Sequence, residues 1–84
     1  MDWKLVLDEA AFQYFVSVSV GDRRKLFSAF DQLRNNPNRQ PDYQSKDSTG
    51  RTLSVWATRP FLMTYWLDAF VSEVRVVNIQ KIRF

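Results

Sequence analysis

Positively charged side chains are the groups in this sequence best suited to chemistry. Eight of the twelve basic residues are arginine, whose planar guanidinium suits bidentate contact with phosphate and stacking on nucleic-acid bases. Histidine and cysteine are absent, which excludes imidazole acid–base catalysis, Ser-His-Asp triads, thiolate chemistry and the usual zinc sites. The chemistry that the composition favours is therefore contact with a polyanion.

The positive charge is concentrated toward the C-terminal half of the chain. Residues 1–20 carry one base and three acids, residues 21–50 six bases and four acids, and residues 51–84 five bases and two acids. The five bases of the last segment are Arg51, Arg59, Arg75, Lys81 and Arg83. This bias is compatible with a nucleic acid or an acidic protein as partner.

Three aromatic residues in the C-terminal half offer stacking surfaces. Trp56, Tyr65 and Trp66 could each stack on a base, at about 1–3 kcal/mol per stack. The alternative is that they are core residues, as most aromatic residues in the strands of a small domain are. Alternation places Trp56 on the face opposite Leu53 and Val55, which makes it the best candidate of the three for an exposed position.

These groups must be positioned by one small domain. The 84 residues, 45% of them hydrophobic, indicate a single domain over residues 1–84 with a real core. The apolar runs are far shorter than the ~20 residues needed to span a bilayer, and the N-terminus does not resemble a signal peptide. We therefore expect a cytoplasmic protein without membrane contact, cofactor or metal.

The N-terminal half is predicted to hold a strand and two helices. Trp3–Leu7 is a short apolar strand, and Asp8 is the predicted N-cap of the first helix. Gly21 is predicted to end the first helical segment, and Asp22 to begin a second helix that ends near Asn35–Asn36, just before a proline. Because both segments carry apolar residues at helical spacing, we expect a helical hairpin with a shared apolar face.

The C-terminal half is predicted to be a sheet. A polar segment over residues 35–50 is interpreted as a long connection, and strands are predicted over Arg51–Thr58, Phe61–Leu67 and Glu73–Ile82. The order β–α–α–β–β–β predicts an α+β fold in which the helical hairpin packs on one face of a roughly four-stranded antiparallel sheet. The other face is expected to be open or partly covered.

The cations have structural as well as functional interpretations. Arg51 could pair with Asp47 or Asp68 instead of a ligand. The basic residues of the last strand could protect an exposed sheet edge against pairing. Arg59 precedes a proline at a strand break, and loop positions of this kind favour function.

Five segments, taken in order, carry a resemblance to a known family. They are W-K-L-V-L-D-E-A-A, R-R-K-L-F-S-A-F-D-Q-L-R-N-N-P, D-S-T-G-R-T-L-S-V-W, F-L-M-T-Y-W-L-D and E-V-R-V-V-N-I. Together they resemble the RelE/ParE superfamily of bacterial type II toxin–antitoxin toxins. The resemblance covers essentially the whole chain and implies the same fold, with a basic concave face on the sheet.

The resemblance implies a function and partners. In the RelE branch the concave face enters the ribosomal A site and cleaves mRNA, whereas the ParE branch inhibits DNA gyrase. We therefore expect a toxin that binds or cleaves mRNA at the ribosome and pairs with a cognate antitoxin. The alternative is a ParE-like gyrase inhibitor, or a catalytically degenerate relative that only binds its antitoxin.

The resemblance also implies site residues, which we expect to share one hollow on the open face. The expected catalytic residues are Arg59, Lys81 and Arg83, and the expected nucleic-acid-binding residues are Arg51, Trp56, Tyr65 and Arg75. The strand lysines typical of RelE nucleases are replaced by Thr52 and Ser54. The C-terminal helix of that family has no counterpart before Phe84.

Overall fold

Two helices pack on one five-stranded sheet in residues 2–82, the part of the chain that the computed structural model describes. In chain order the elements are β1 (Lys4–Leu7), α1 (Glu9–Ser17), α2 (Val20–Asn35), β2 (Tyr43–Lys46), β3 (Thr52–Thr58), β4 (Phe61–Asp68) and β5 (Glu73–Lys81). This architecture confirms the predicted α+β class. Neither of these two helices has the length and apolar character needed to cross a membrane.

The first helix begins after Asp8, as predicted, but without the predicted side-chain cap. The backbone of Asp8 is extended, and its carbonyl accepts from Phe12 N at 2.9 Å to start α1. Its carboxylate does not cap the helix and accepts instead from Arg75 Nη2 at 3.0 Å. Asp8 therefore ties the start of α1 to β5.

Two residues, Val18 and Ser19, connect the helices. The prediction that Gly21 ends a helix is wrong, because Gly21 lies in the first turn of α2. Ser19 Oγ accepts from Asp22 N at 3.1 Å, which satisfies one of the free amides at a helix start. This serine cap explains why α2 begins earlier than predicted.

The C-terminus of α2 lies where the sequence predicts it, at Asn35. The carbonyl of Gln32 accepts from Asn36 N and from Arg39 Nη2, each at 3.1 Å. Arg39 is therefore held against the end of α2, and the chain turns from there toward the sheet.

A strand that the sequence analysis does not predict interrupts the connection after α2. Tyr43 lies opposite Val55 and Lys46 opposite Thr52 in an antiparallel β2–β3 pair. All residues of β2 are exposed, so the strand lacks the apolar alternation by which strands are recognised. The predicted unstructured connection is wrong over this segment.

The sheet has the order β1-β5-β4-β3-β2. β1 runs parallel to β5, and the other pairs are antiparallel. The sheet thus has five strands instead of the expected four. β5 lies between β1 and β4, so the expectation that the last strand is an exposed edge is wrong.

The helices cover one face of the sheet, which we call the helix face. Its core side chains are Trp56, Phe61, Met63, Tyr65, Val74, Val76 and Ile79, packed with Ala11, Leu26, Ala29, Phe30 and Leu33 of the helices. Alternation along the strands puts the remaining side chains on the other side, which we call the open face. It includes Leu53, Val55, Ala57, Leu62, Thr64, Trp66, Glu73 and Arg75.

A register shift keeps the core residues of β5 on the helix face. Thr64 pairs with Asn78 but Tyr65 pairs with Val76, so one extra residue lies in β5 at this point. Val76 and Ile79 are 0% and 3% exposed although a spacing of three would place them on opposite faces of a regular strand. The bulge therefore allows both residues to enter the same core.

Candidate nucleic-acid interface

The predicted site residues lie at two opposite ends of the sheet. Arg51 precedes β3 and Arg75 lies near the start of β5, both beside Trp66 near the end of β4. Arg59 and Lys81 lie at the other end, around the β3–β4 turn. At about 3.3 Å per residue, the intervening part of β4 spans roughly 17 Å. The expected single hollow is not formed by the described residues, and Arg83 lies outside them.

Arg51, Trp66 and Arg75 meet on the open face in what we call the Trp66 cluster. The Arg51 Cζ lies 4.0 Å from the centroid of the Trp66 ring and the Arg75 Cζ 5.9 Å from it. Both distances are within the range of cation–π attraction. Trp66 Nε1 is buried and finds no hydrogen-bond acceptor within residues 2–82, so packing and the two guanidinium groups hold the indole.

Two carboxylates orient the guanidinium of Arg75. Its Nη1 donates to Glu73 Oε1 at 2.9 Å and its Nη2 to Asp8 Oδ1 at 3.0 Å. The hydrogen bond to Glu73, followed by the charge of Asp8, raises the pKa of Arg75 above its ordinary value despite partial desolvation. The side chain is 31% exposed, so a charged and oriented guanidinium is partly open to a ligand.

A tight turn between β2 and β3 positions Arg51. Asp47 Oδ1 accepts from Thr49 N, Thr49 Oγ1 and Arg51 N at 2.9, 2.6 and 2.9 Å. Gly50 supplies the positive φ of 84° in this turn. The hydroxyl bond from Thr49 is the main cause of the lowered pKa of Asp47. Arg51 Nη1 also lies 3.9 Å from Asp47 Oδ2, so the structural pairing and the Trp66 contact coexist.

The Trp66 cluster combines two cations with three carboxylates, those of Asp8, Asp47 and Glu73. It therefore has no excess of positive charge, and it offers stacking and directed hydrogen bonds more than long-range attraction. It contains no group that ordinarily titrates near neutral pH. Residues 2–82 also hold no group of three or more acidic, histidine or cysteine side chains able to bind a metal ion.

A lysine from the neighbouring strand reaches one of the positions where the family resemblance implies a lysine. Thr52 occupies that position, and Lys46 Nζ on β2 donates to Thr52 Oγ1 at 3.1 Å. Ser54, the second such position, accepts from Gln44 Nε2 at 3.3 Å. Gln44, Ser45, Lys46 and Thr52 line a groove of about 220 Å³. Sequence reasoning missed Lys46 because it did not predict β2.

The cations at the other end of the sheet are arranged differently. Arg59 is exposed in the β3–β4 turn, next to a cis peptide bond to Pro60. Lys81 pairs with Phe61 and therefore projects on the helix side, where its Nζ donates to Asp22 Oδ2 of α2 at 2.8 Å. The ammonium of Lys81 thus ties β5 to a helix and does not lie on the open face.

Trp56 and Tyr65 lie on the helix face, and the expectation that Trp56 is exposed is wrong. Trp56 is 8% and Tyr65 1% exposed. Arg39 Cζ lies 4.2 Å from the Trp56 ring centroid and covers it from the connection after α2. Desolvation raises the pKa of the Tyr65 phenol. Neither ring is presented to a ligand in this structure. Nucleic-acid binding by Trp56 and Tyr65 therefore stays a prediction that their burial does not support.

Trp66 is the member of the cluster that the sequence analysis did not assign to the site. It was recognised there only as one of three stacking candidates. Its contact with Arg75 depends on the β4–β5 register, in which the two residues are directly paired. One sequence signal could have identified Trp66 as a site residue. It is a tryptophan near the end of one predicted strand, and the next strand, which begins after a short turn, carries a cation near its start.

Comparison with known proteins gives no match by sequence but clear matches by structure. No family profile matches the sequence, and no curated protein matches it. A chain of the toxin–antitoxin complex RelBE2 from Mycobacterium tuberculosis is 12% identical, with a TM-score of 0.77 over 96% of this chain and 99% of that chain.

Two further toxin–antitoxin complexes contain similar chains. One is the archaeal RelE–RelB complex from Pyrococcus horikoshii OT3, with 12% identity, a TM-score of 0.70 and 96% of each chain covered. The other is the intact RelBE complex of E. coli, with 19% identity, a TM-score of 0.63 and coverage of 98% of this chain and 99% of that chain. Over 96–98% of its length, this chain therefore has the fold of the chains in these RelE–RelB complexes.

Proposed function

We propose that this chain is the toxin of a type II toxin–antitoxin module and acts on translation by binding mRNA at the ribosome. The observation that carries the proposal is the match of 96–98% of the chain to structures described as RelE toxins or RelBE complexes. Because such chains were solved in complexes with antitoxins, a cognate antitoxin is the proposed protein partner.

The Trp66 cluster is the proposed contact for RNA bases. A base can stack on an indole whatever its identity, and a guanidinium beside it can bond a phosphate or a base edge. Arg51 and Arg75 are oriented by carboxylates, so less rotamer freedom would be lost on binding. The cluster supports recognition of an unpaired nucleotide on the open face.

Attraction of the RNA backbone must come from cations outside the cluster. Lys46 makes its hydrogen bond to a neutral hydroxyl, that of Thr52, and has no ion pair within residues 2–82. Its side chain lies with Thr52 on the Trp56 side of the sheet, so RNA bound at Trp66 would have to pass around the edge strand β2 to reach it. Arg59 places an exposed cation at the far end of β3. Both cations are proposed as phosphate contacts, Arg59 near the open face and Lys46 beyond the β2 edge.

Cleavage of the bound RNA is the more specific part of the proposal. It requires charge stabilisation on the phosphate and removal of a proton from the 2′-hydroxyl. Arg59, Lys81 and Arg83 are proposed for the first task, as the family resemblance implies. Arg59 and Lys81 lie at one end of the sheet, where Lys81 would first have to release Asp22, and Arg83 lies outside the described residues. The second task has no candidate with a pKa near neutrality among residues 2–82.

Induced expression in a bacterial host tests this function. We expect growth arrest with a loss of protein synthesis, and the substitution Arg51→Ala should relieve the arrest because it removes one side of the Trp66 cluster. Lys25→Ala is the matched control, since Lys25 is an exposed cation of α2 far from the open face. Equal arrest by the wild type and by Arg51→Ala would contradict the assignment of the cluster.

The same cultures separate the competing targets. Fragmented mRNA indicates cleavage, whereas intact mRNA with stalled ribosomes indicates binding alone. Gyrase-linked DNA breaks with normal translation would overturn the proposal in favour of the ParE-like alternative. Absence of any toxicity from a folded, soluble chain would favour the degenerate antitoxin-binding relative.

A further inference from the structure

Neutral polar side chains lie in the middle of the open face. Thr64 of β4 is directly opposite Asn78 of β5, and the next such pair toward the β3–β4 turn brings Gln80 opposite Leu62. Directly opposed residues of an antiparallel pair project on the same side, so Asn78 and Gln80 share the open face with Thr64. On this face, the described strands β4 and β5 carry no charged residue between the Trp66 cluster and the β3–β4 turn.

The side-chain amide of Asn78 is accessible and unbonded. No group within residues 2–82 makes a hydrogen bond with this amide or with the hydroxyl of Thr64. Both residues are half-buried, yet neither contributes a buried polar atom that lacks a partner, so their polar atoms reach the solvent. Asn78 therefore presents an NH₂ donor group and a carbonyl acceptor to a ligand on the open face.

The bulge of β5 lies beside this amide. The pairing partner of β4 moves from Asn78 to Val76 in one step, so Val77 is the extra residue. A bulge bends its strand and re-aims the side chains beside it, and bulges are frequent next to active sites. β1 ends opposite Val76, so among the described strands β4 alone flanks Asn78. The amide therefore lies on a bent segment of the sheet with a strand on one side only.

A structural role does not explain the asparagine at this position. Asparagine is depleted in strands, whereas β-branched residues are favoured there. The neighbours of Asn78 along β5 follow that preference, since they are Val76, Val77 and Ile79. A side chain that makes no hydrogen bond within the described domain and is disfavoured in a strand is better explained by contact with a ligand.

We propose that Asn78 reads the N6/N7 edge of an adenine base in single-stranded RNA bound to the open face. A side-chain amide donates and accepts at once, and this edge of adenine offers the matching acceptor and donor. Proteins that recognise single-stranded RNA read its unstacked bases through such edge contacts. The inference rests on the proposed function and adds a base preference to it.

The spacing between Asn78 and the Trp66 cluster suits two bases of one RNA strand. Thr64 and Trp66 are two residues apart on the same face of β4, which corresponds to about 7 Å. A base stacked at the Trp66 cluster therefore leaves a neighbouring base near Thr64, within reach of the amide on the paired strand. The cluster accepts a base of any identity, and Asn78 supplies the discrimination.

Labelled RNA heptamers test the proposal on the full chain. One is heptauridylate, and two others carry adenine or cytosine at the central position. Fluorescence anisotropy should show the adenine heptamer bound at least about fivefold tighter than the other two, which is the lower end of the range for one bidentate contact. Replacement of that adenine by 7-deazaadenine, which keeps the stacking surface but lacks N7, should abolish the advantage.

Substitution of the amide gives the second arm of the test. Asn78→Val should bind all four heptamers alike, with the affinity that the wild type has for heptauridylate. Because valine suits a strand better than asparagine, its urea midpoint should not fall. Asn38→Val is the matched control, since Asn38 is exposed in the connection after α2, outside the sheet. It should keep the preference for adenine.

A destabilised Asn78→Val would be replaced by Asn78→Asp, which should move the preference from adenine to cytosine, whose N4 donates to a carboxylate. An adenine preference that the variant retains, or that 7-deazaadenine preserves, overturns the proposal, because stacking alone would then account for it. Equal wild-type binding of all heptamers also overturns it but leaves the proposal of RNA binding standing. Failure of the wild type to bind any heptamer overturns both.

Discussion

The two faces of the sheet are made by alternate residues of the same strands, yet they are built on different principles. Met63 and Tyr65 on the helix face are 0% and 1% exposed and pack against two helices. Leu62 and Trp66 on the open face are only partly buried, and Trp66 contacts two guanidinium groups that have carboxylate partners of their own. The helix face is organised by burial, whereas the open face, apart from the buried Val55, is organised around charged side chains.

The largest expected effect is on stability and contrasts two adjacent residues. Met63→Ala should lower the free energy of unfolding by about 2–5 kcal/mol, since it leaves a cavity under the helices. Leu62→Ala should cost about 1 kcal/mol, because its side chain is only partly buried. Urea denaturation of both variants measures the difference, and similar midpoints would show that the open face is covered too.

The next effect is on RNA binding and contrasts the two tryptophans. Trp66→Ala should weaken binding of a single-stranded oligonucleotide by about 1–3 kcal/mol if a base stacks on the indole. Trp56→Phe, on the helix face, should leave the affinity unchanged because that ring is buried. Fluorescence anisotropy at fixed salt compares the RNA affinities of the two variants. A larger loss of affinity in Trp56→Phe than in Trp66→Ala would assign RNA binding to the side of Trp56 and contradict the proposed role of the open face.

The next prediction concerns the pH dependence of stability and the buried phenol of Tyr65 on the helix face. The pKa of Tyr65 is raised above 10.0 in the folded chain, mainly by desolvation. The unfolded chain therefore loses this proton first, so the contribution of Tyr65 is fully present below pH 10.0 and is lost as pH rises through the folded pKa. Tyr65→Phe should flatten the alkaline fall in unfolding free energy, and an unchanged slope would exclude Tyr65 as its source.

The smallest expected effect on stability concerns Lys81, whose ammonium pairs with Asp22 on the helix side of the sheet. Lys81→Met should lower stability by about 0–1 kcal/mol, the range for a partly exposed ion pair, through loss of its contact with Asp22. The double variant with Asp22→Asn measures the coupling between the two side chains. An unchanged stability together with lost toxicity would instead support the catalytic assignment of Lys81.

Local patterns predicted most of the elements, but the spatial arrangement of the strands did not follow from them. The apolar stripe of α2 and the apolar run of β4 are clear in the sequence. β4 lies where it is predicted to within one residue, and α2 ends where it is predicted but begins two residues earlier. β2 was missed because its four residues are exposed and show no alternation. The central place of β5 depends on a parallel pairing with β1 that sequence order alone does not reveal.

The candidate site was harder to predict for a related reason. Alternation shows that Trp56 shares a face with Ser54 and not with Val55, but it does not show which face the helices cover. The contact of Arg51 with Trp66 depends on a turn, a strand register and a side-chain reach, none of which is visible in a single residue's type. The sequence therefore identified the candidate cations. The strand register and the β2–β3 turn then determine that Arg51 and Arg75 meet at Trp66.

The parallel pairing of β1 with β5 has a consequence for biosynthesis. Lys4 lies opposite Glu73, so the first strand to leave the ribosome must wait for the last before it gains a neighbour. A chain interrupted before Glu73 would leave β1 and β4 without that shared partner and would lack Arg75. The surface around Trp66 is therefore completed only when translation of the chain is almost finished, and unfinished fragments do not possess it.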